Sequence, residues 1–332
     1  MDHRRSETGE SMKESLVARG TVERLLLLVG AIRSGLVDAL AEGDAKSAGE
    51  IARTAGADAR ATGIVMEALV AEGVVERPAG SPVRYRLSPL GRAHLVDEGP
   101  DLERSGLLHE VNKYRGWLEL PDIIRTGRPL PRDPVRRDLH TMVSAMGERD
   151  TTVLDEIVRR SLAYAGPVHT MLDVGGAVGH VARHFSRCGV RATVLDREEV
   201  LPVAREFLGA EGSDIALVAG DYTESLPAGP FDLVYFGNVY HIYGPATNAR
   251  VTRETLQILL PGGTIAIQDH VWGRSPRAAL FAVNMLQATE EGGVWTEADY
   301  REWLAEAGFE RVEVADLEST GAQLILGRRL RQ

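Results

Sequence analysis

At 332 residues the chain is too long for one small core, so two domains are expected. Its 44% hydrophobic and 26% charged residues suit a globular protein. The net charge of −10 argues against nucleic acid or an anionic membrane surface as main partner, since both reward clustered Lys and Arg. The single cysteine, Cys188, cannot close an internal disulfide, which fits a cytoplasmic location. No apolar stretch approaches the roughly 20 residues that cross a bilayer. Residues 1–14 are charged, lack the apolar core of a signal peptide and read as a disordered tail.

Residues 22–40 carry apolar side chains at helical spacing, predicting a helix closed by Gly43 and Asp44. Ser47, with Glu50 three residues on, has the pattern of a capping box opening a short helix that Gly56 breaks. Asp58 is placed to cap a third helix to about Ala71, with Ile64, Val65, Ala68 and Leu69 on its buried side. Residues 74–77 and 83–87 read as two short strands around a Pro- and Gly-containing turn. Helix, turn, helix and hairpin in that order predict a winged helix, mainly α, over residues 15–100. Winged helices often bind DNA through the second helix of the pair. Here that helix offers only Arg60 near its start, so a structural or dimerisation use is favoured over a DNA-binding regulator.

Residues 101–160 stay helical in pattern, with breaks at Pro121, Gly127, Pro129, Pro131 and Pro134. Tyr114, Trp117, Met142 and Met146 lie here and are candidates to line a substrate pocket, with plain core packing as the alternative.

From about Val168 strands alternate with helices, the pattern of a Rossmann-like parallel sheet with helices on both faces, over residues 161–332. The first strand, residues 168–174, contains Asp173 near its end and runs into Gly175, Gly176, Ala177, Val178 and Gly179, which open a helix. Glycines there let the backbone turn tightly and approach a ligand. The second strand, residues 191–195, ends on Asp196, where a carboxylate can accept from two ribose hydroxyls. NAD enzymes use a similar loop and acid. However, Asp173 would repel a pyrophosphate and welcome a cationic aminoacyl group, and the loop departs from G-x-G-x-x-G, so S-adenosylmethionine (SAM) is the expected cofactor.

Leu172 to Gly179 resembles the first motif of class I SAM methyltransferases, in the small-molecule O-methyltransferase family form L-D-V-G-G-G-x-G, with Ala177 in place of a glycine. Leu195-Asp196-Arg197 with Val200 and Ala204, Gly220-Asp221-Tyr222 with Leu226-Pro227, Leu260-Pro261-Gly262-Gly263, and Ala307-Gly308-Phe309 resemble later motifs of that family, in the family's order. The winged-helix dimerisation domain also stands where the family carries one. The resemblance implies that Asp173, Gly175, Gly176 and Gly179 hold the methionine end of SAM. It implies that Asp196 with Arg197 takes the ribose, and that Gly220, Asp221 and Tyr222 flank the adenine. For Asp221 a turn residue is the plain alternative, and Gly262 and Gly263 read as a turn into the fifth strand, residues 264–269.

A phenol has a pKa near 10, so methylating one at neutral pH profits from a base. His241, just past the fourth strand (residues 231–236), is the candidate. The family reads L-H-D-W there, whereas this chain reads Tyr240-His241-Ile242-Tyr243, so an orienting carboxylate must come from elsewhere: Asp269, Glu290, Glu291 or Glu297. Asn238 stands just before it, able to bond a ligand or to cap a turn. His270 next to Asp269 could pair with His241 on a metal, but no third ligand is evident and no metal is expected. Phe281, Asn284 and Met285 fall where the family builds its acceptor pocket, with Trp272 and Trp295 as further walls.

The sequence therefore predicts a homodimeric SAM-dependent O-methyltransferase of small aromatic or polyketide-like hydroxyl compounds. A carbon or nitrogen acceptor, and a non-methylating SAM-binding relative, stay open as alternatives.

Overall fold

The computed structural model describes residues 20–97, 102–129, 139–147, 151–318 and 320–331. The expected tail at 1–14, Pro131 and Pro134 lie outside them. Two compact units divide the chain after Arg92, and the helical stretch expected at 101–160 falls in the second unit with the sheet.

In the first unit, α1 (Thr21–Arg33) stops short of the predicted helix end. Gly35 turns the chain at φ +75°, and Asp38–Leu40 is a separate 3-10 turn. The apolar spacing runs through the break because Leu36, Val37, Ala39 and Leu40 are all buried in the core. Periodicity alone did not register the glycine. Helix α2 (Ala48–Ala55) has the predicted capping box: Glu50 N donates to Ser47 Oγ at 3.3 Å and Ser47 N donates to Glu50 Oε2 at 2.7 Å. Asp58 Oδ1 accepts from Ala61 N at 2.8 Å and opens α3 (Ala59–Ala71). The buried face of α3 is Thr62, Met66 and Leu69, while Ile64 points outward at 57% exposure, so the expected buried stripe is corrected by part of a turn.

The hairpin is shorter than expected, with β1 (Val75–Glu76) paired antiparallel to β2 (Arg86–Leu87). Tyr85 pairs instead with Lys46 (N–O 2.8 and 2.9 Å), tying the chain before α2 to the wing. The backbone groups of residue 85 are thereby satisfied outside the hairpin.

The second unit begins within α4 (Pro89–Leu95) and continues through α5 (Arg104–Leu118), α6 (Leu120–Thr126), α7 (Leu139–Gly147) and α8 (Thr151–Ala165). The sheet is built from β3 (Thr170–Val174), β4 (Arg191–Asp196), β5 (Ala216–Ala219), β6 (Phe231–Gly237), β7 (Leu259–Asp269), β8 (Phe309–Asp316) and β9 (Gln323–Arg329). Their order is β5-β4-β3-β6-β7-β9-β8, parallel except for β9, which runs antiparallel to both neighbours. The connecting helices are α9 (His180–Arg187), α10 (Leu201–Leu208), α11 (Pro245–Ile258), α12 (Pro276–Ala288) and α13 (Glu297–Ala307).

Alternation along each strand sorts the core into two layers. Met171, Val194, Leu233, Tyr235, Leu324 and Leu326 pack with Val181 and Phe185 of α9 and with Leu154 and Ile157 of α8. Leu172, Val174, Val234, Phe236, Ile265 and Ile325 pack with Val251 of α11 and with Tyr300, Trp303 and Leu304 of α13. Strand β3 begins two residues later than expected because His169 N and Thr170 N both donate to Asp232 Oδ2 at 2.9 Å. Strand β7 begins earlier than expected, since Leu259 pairs with Phe231 before the Pro-Gly-Gly irregularity and pairing resumes at Thr264. Strand order reverses between β3 and β6, which opens a crevice at their carboxyl ends, the usual ligand site in such sheets.

Candidate active site

The loop after β3 is held in an unusual backbone shape. Gly175 lies at φ +66°, Ala177 at +50° and Gly179, the N-cap of α9, at +75°. Gly176 is required for a different reason: a Cβ there would sit 2.7 Å from Asp173 Cγ and 2.8 Å from its Oδ2. Asp173 is buried, and its Oδ2 accepts from Ala182 N at 3.3 Å. Gly175 N donates to Leu195 O at 2.8 Å, which locks the loop to the end of β4.

Asp196 Oδ2 accepts from Ala177 N at 2.9 Å, and its Oδ1 accepts from Arg197 N at 2.8 Å. Burial raises its pKa above the ordinary carboxylate value, against the two backbone N–H groups, which lower it. Arg197 therefore meets Asp196 through its backbone, while its guanidinium pairs with Glu199 at 3.2 Å on the surface. Gly220 N donates to Asp196 O at 3.0 Å. Asp221 Oδ1 accepts from Thr223 N at 2.8 Å and from its Oγ1 at 2.5 Å, an Asx-type turn. The ring of Tyr222 meets that of Tyr243 edge-on at 5.8 Å, and burial pushes its phenol far up in pKa.

Beyond β6, Asn238 adopts φ +57°, a conformation Asn tolerates better than most residues. Its N–H donates to Gln268 O at 2.8 Å, and its carboxamide faces that of Gln268 at 3.3–3.4 Å. Three residues later His241 Nδ1 lies 2.8 Å from Asp269 Oδ1, and His241 N donates to Asp269 Oδ2 at 3.1 Å. Asp269 is fully buried and its Oδ1 also accepts from His270 N at 2.8 Å. Of the four carboxylates that could have oriented His241, Asp269 is the one at its ring. Strands β6 and β7 run parallel with Gly237 opposite Gln268, so the residues following each are neighbours. That register, not composition, was the signal that could have chosen it.

The histidine is clamped on its other sides. His241 O accepts from Gly293 N at 3.0 Å, and a Cβ on Gly292 would overlap that same carbonyl. Tyr240 O accepts from Trp295 Nε1 and Asn248 Nδ2, each at 2.8 Å. Phe281 packs edge-on against the His241 ring at 4.8 Å and, tilted, against the His270 ring at 4.6 Å. Asn284 and Met285 follow Phe281 by three and four residues on α12, hence on the same face. Asn284 Oδ1 accepts from Gln287 Nε2 at 2.8 Å and from Trp117 Nε1 of α5 at 3.4 Å, and Met285 is buried. Tyr114 is half-buried on the same helix as Trp117. Met142 and Met146, one turn apart on α7, pack instead beside Val143, Ala177, Val178, Val200 and Val203, against the glycine loop. Trp272 is half exposed, its N–H bonded to Trp295 O at 2.8 Å. Among the described residues no group of three or more His, Cys, Asp or Glu side chains is arranged to hold a metal.

The arrangement offers a buried carboxylate under a glycine cradle, a second at the next strand end, and the aromatic ring of Tyr222 held against Tyr243. These suit a cationic amino-acid group, a ribose diol and a flat base, in that order, which is the chemistry of SAM. The His241–Asp269 pair stands on the other side of the strand-order reversal.

Residues 135–310 match the O-methyltransferase domain family and residues 27–97 match the O-methyltransferase dimerisation domain. The chain is 30% identical to a 3-hydroxy-5-methyl-1-naphthoate 3-O-methyltransferase of Streptomyces sahachiroi, over 89% of this chain and 88% of that one. It is 29% identical to the tetracenomycin polyketide synthesis 8-O-methyl transferase of Streptomyces glaucescens, over 92% and 93%. Its fold matches human N-acetylserotonin methyltransferase, solved in complex with SAM, with TM-score 0.78 at 23% identity, over 93% and 94%. No helix among the described residues is long and apolar enough to cross a membrane. The chain belongs to the O-methyltransferase family that joins a dimerisation domain to this catalytic domain, and it is a SAM-dependent O-methyltransferase.

Proposed function

We propose that this enzyme methylates a hydroxyl of a small aromatic or polyketide-like compound, with His241 as general base oriented by Asp269. Relatives named for naphthoate, tetracenomycin and 3-amino-4-hydroxybenzoate substrates favour an oxygen on an aromatic ring over a carbon or nitrogen acceptor. The carrying observation is the 2.8 Å contact between His241 Nδ1 and the buried carboxylate of Asp269. A carboxylate accepts, so Nδ1 bears the proton and Nε2 is left with its lone pair for the acceptor hydroxyl. His241 Nε2 takes the proton as the hydroxyl oxygen becomes nucleophilic, and Asp269 stabilises the imidazolium that results.

Bound SAM supplies a methyl group on a sulfonium and leaves as S-adenosylhomocysteine. Asp173 and the glycines 175, 176 and 179 would hold its amino-acid end, Asp196 with the Arg197 backbone its ribose, and Gly220, Asp221 and Tyr222 its adenine. Asn238 would brace this side through Gln268. Tyr114, Trp117, Phe281, Asn284 and Met285 would wall the acceptor, with Met142 and Met146 behind the glycine loop. The dimerisation domain favours a homodimer, and the exposed Cys188 suits a reducing cytoplasm.

The test is His241→Asn against a panel of phenols and naphthols, followed by S-adenosylhomocysteine release. A kcat loss of about 10²–10⁴-fold with S-adenosylhomocysteine affinity retained is expected. Turnover within about threefold of wild type would remove His241 from the chemistry, since no general base is worth so little.

A further inference from the structure

The base assignment leaves a second histidine at the same place without a task. His270 N donates to Asp269 Oδ1 at 2.8 Å, and His270 Nδ1 lies 3.3 Å from the carbonyl oxygen of Gly321. A carbonyl oxygen only accepts, so Nδ1 carries the proton and Nε2 keeps its lone pair. That carbonyl is itself fixed, because Ser275 Oγ donates to it at 2.9 Å and Gln323 Nε2 at 3.4 Å. His241 is held in the same tautomer by Asp269. Two neighbouring imidazoles therefore offer the same atom as an acceptor, and the ring of Phe281 packs on both. Neither Nε2 makes a hydrogen bond among the described residues, and neither is sealed from solvent. Burial lowers the His270 pKa, with Arg277 and His241 acting the same way and Asp269 and the Gly321 carbonyl opposing, so the neutral accepting form persists at neutral pH.

One base is enough to deprotonate one hydroxyl. A second acceptor beside it, closed over by a bound ring, needs a donor of its own or loses its hydration without compensation. We propose that His270 Nε2 accepts a hydrogen bond from a second O–H or N–H on the acceptor. The preferred acceptor is then a phenol bearing that second donor close to the hydroxyl that is methylated, as in an ortho- or peri-dihydroxylated ring. The first hydroxyl gives its proton to His241 Nε2, and the second keeps its proton and shares it with His270. His270 is thus a specificity residue, and this rests on the reading of His241 as base. A site built to pair a donor rejects the analogue that lacks it far more sharply than an apolar pocket rejects a change of size.

The experiment compares kcat/KM of the SAM-supplied enzyme for 2-naphthol, 2,3-dihydroxynaphthalene and 1,8-dihydroxynaphthalene. Wild type is expected to favour at least one diol over 2-naphthol by about tenfold or more, roughly one good hydrogen bond. His270→Phe keeps a ring against Phe281 but removes the acceptor, and is expected to bring that ratio down to near one through KM for the diol. His270→Gln returns an amide oxygen near the Nε2 position and is expected to recover part of the preference. A wild type without preference, or a preference that His270→Phe leaves unchanged, overturns the proposal. Loss of turnover of all three probes in His241→Asn, with selectivity unmoved in His270→Phe, removes this proposal and keeps the base. A wild type that binds S-adenosylhomocysteine yet methylates none of the three overturns both.

Discussion

Asp269→Asn is the most informative single change at the site. Asp269 accepts three hydrogen bonds: from the His241 ring and the His270 backbone on Oδ1, and from the His241 backbone on Oδ2. An asparagine has one oxygen for these two positions. If the oxygen faces the ring, the amide N–H₂ confronts the backbone N–H of His241. If it is flipped, the amide confronts the ring and the His270 N–H, and His241 must then put its proton on Nε2, where the base is needed. Either way a buried donor is left without an acceptor, costing roughly 1–3 kcal/mol of stability. In the flipped form the general base is lost as well, about 10²–10⁴-fold in kcat or roughly 3–5 kcal/mol of barrier, and in the other form the imidazolium loses the negative charge that stabilises it, so kcat falls in both. The assay is steady-state S-adenosylhomocysteine release, with thermal unfolding and S-adenosylhomocysteine titration as companions. Affinity for S-adenosylhomocysteine is expected to stay within about threefold, because Asp269 shares no partner with the glycine loop. A variant that turns over at wild-type kcat with its melting point lowered would show that the His241–Asp269 contact is only structural, and would refute the reasoning.

Three further outcomes follow from the cofactor side. Gly176→Ala places a methyl group against the buried Asp173 carboxyl, which cannot retreat, so S-adenosylhomocysteine affinity measured by calorimetry should fall by about tenfold or more, with a stability loss of roughly 1–3 kcal/mol. Unchanged affinity would disconnect this loop from the cofactor. Ala177→Gly relieves a left-handed backbone at φ +50° but gives up a buried methyl and adds unfolded-state entropy. These terms nearly cancel, so its unfolding free energy should lie within about 1 kcal/mol of wild type, and a loss beyond twice that would mean the methyl is needed. The raised Asp196 pKa favours its protonated form in the free protein, so by itself it stabilises the fold below the unfolded carboxylate pKa and that contribution fades as pH rises through the raised value. Ribose hydroxyls need the charged form, so S-adenosylhomocysteine should bind more tightly as pH rises through a window just above the ordinary 3.8, and Asp196→Asn should flatten that slope. A wild-type Kd constant across that window would take Asp196 out of the ribose site.

What the sequence disclosed was governed by how local each signal is. The capping box at Ser47 and Glu50 and the cap at Asp58 concern residues three apart and appear as read. So do the acids at the ends of β3 and β4, since a strand, its terminal acid and the glycine turn after it are one continuous segment. The first helix was read too long because buried side chains continue past Gly35, where the backbone leaves the helix but not the core. The stripe on α3 was misplaced because its centre falls on Met66 rather than on the Ile64–Val65 pair. Helix α13 opens with a capping box of Thr296 and Asp299 that is harder to see in the sequence, as Asp is a rarer third-position partner than Glu. The partner of His241 lay beyond local rules altogether, 28 residues away and set by the pairing of β6 with β7.

The carboxyl edge carries three buried or half-buried acids: Asp173 accepts from the backbone N–H of Ala182, Asp196 from those of Ala177 and Arg197, and Asp269 from the backbone N–H groups of His241 and His270 and from the His241 ring. A backbone N–H satisfies a carboxylate oxygen without bringing a full positive charge against it, so such a donor weakens the field the acid presents to a ligand less than an ion pair does. The guanidinium groups of Arg197 and Arg274 pair with other acids, Arg197 with Glu199 and Arg274 with Asp316 and Glu297. On the proposed reading, Asp173 and Asp196 would face the cationic and ribose parts of the cofactor. At the Asp269 end the same device meets a histidine, which gains positive charge when it takes a proton. On the proposed reading, one way of burying a carboxylate would serve two tasks on one sheet edge, and the strand each acid follows would decide which task it has.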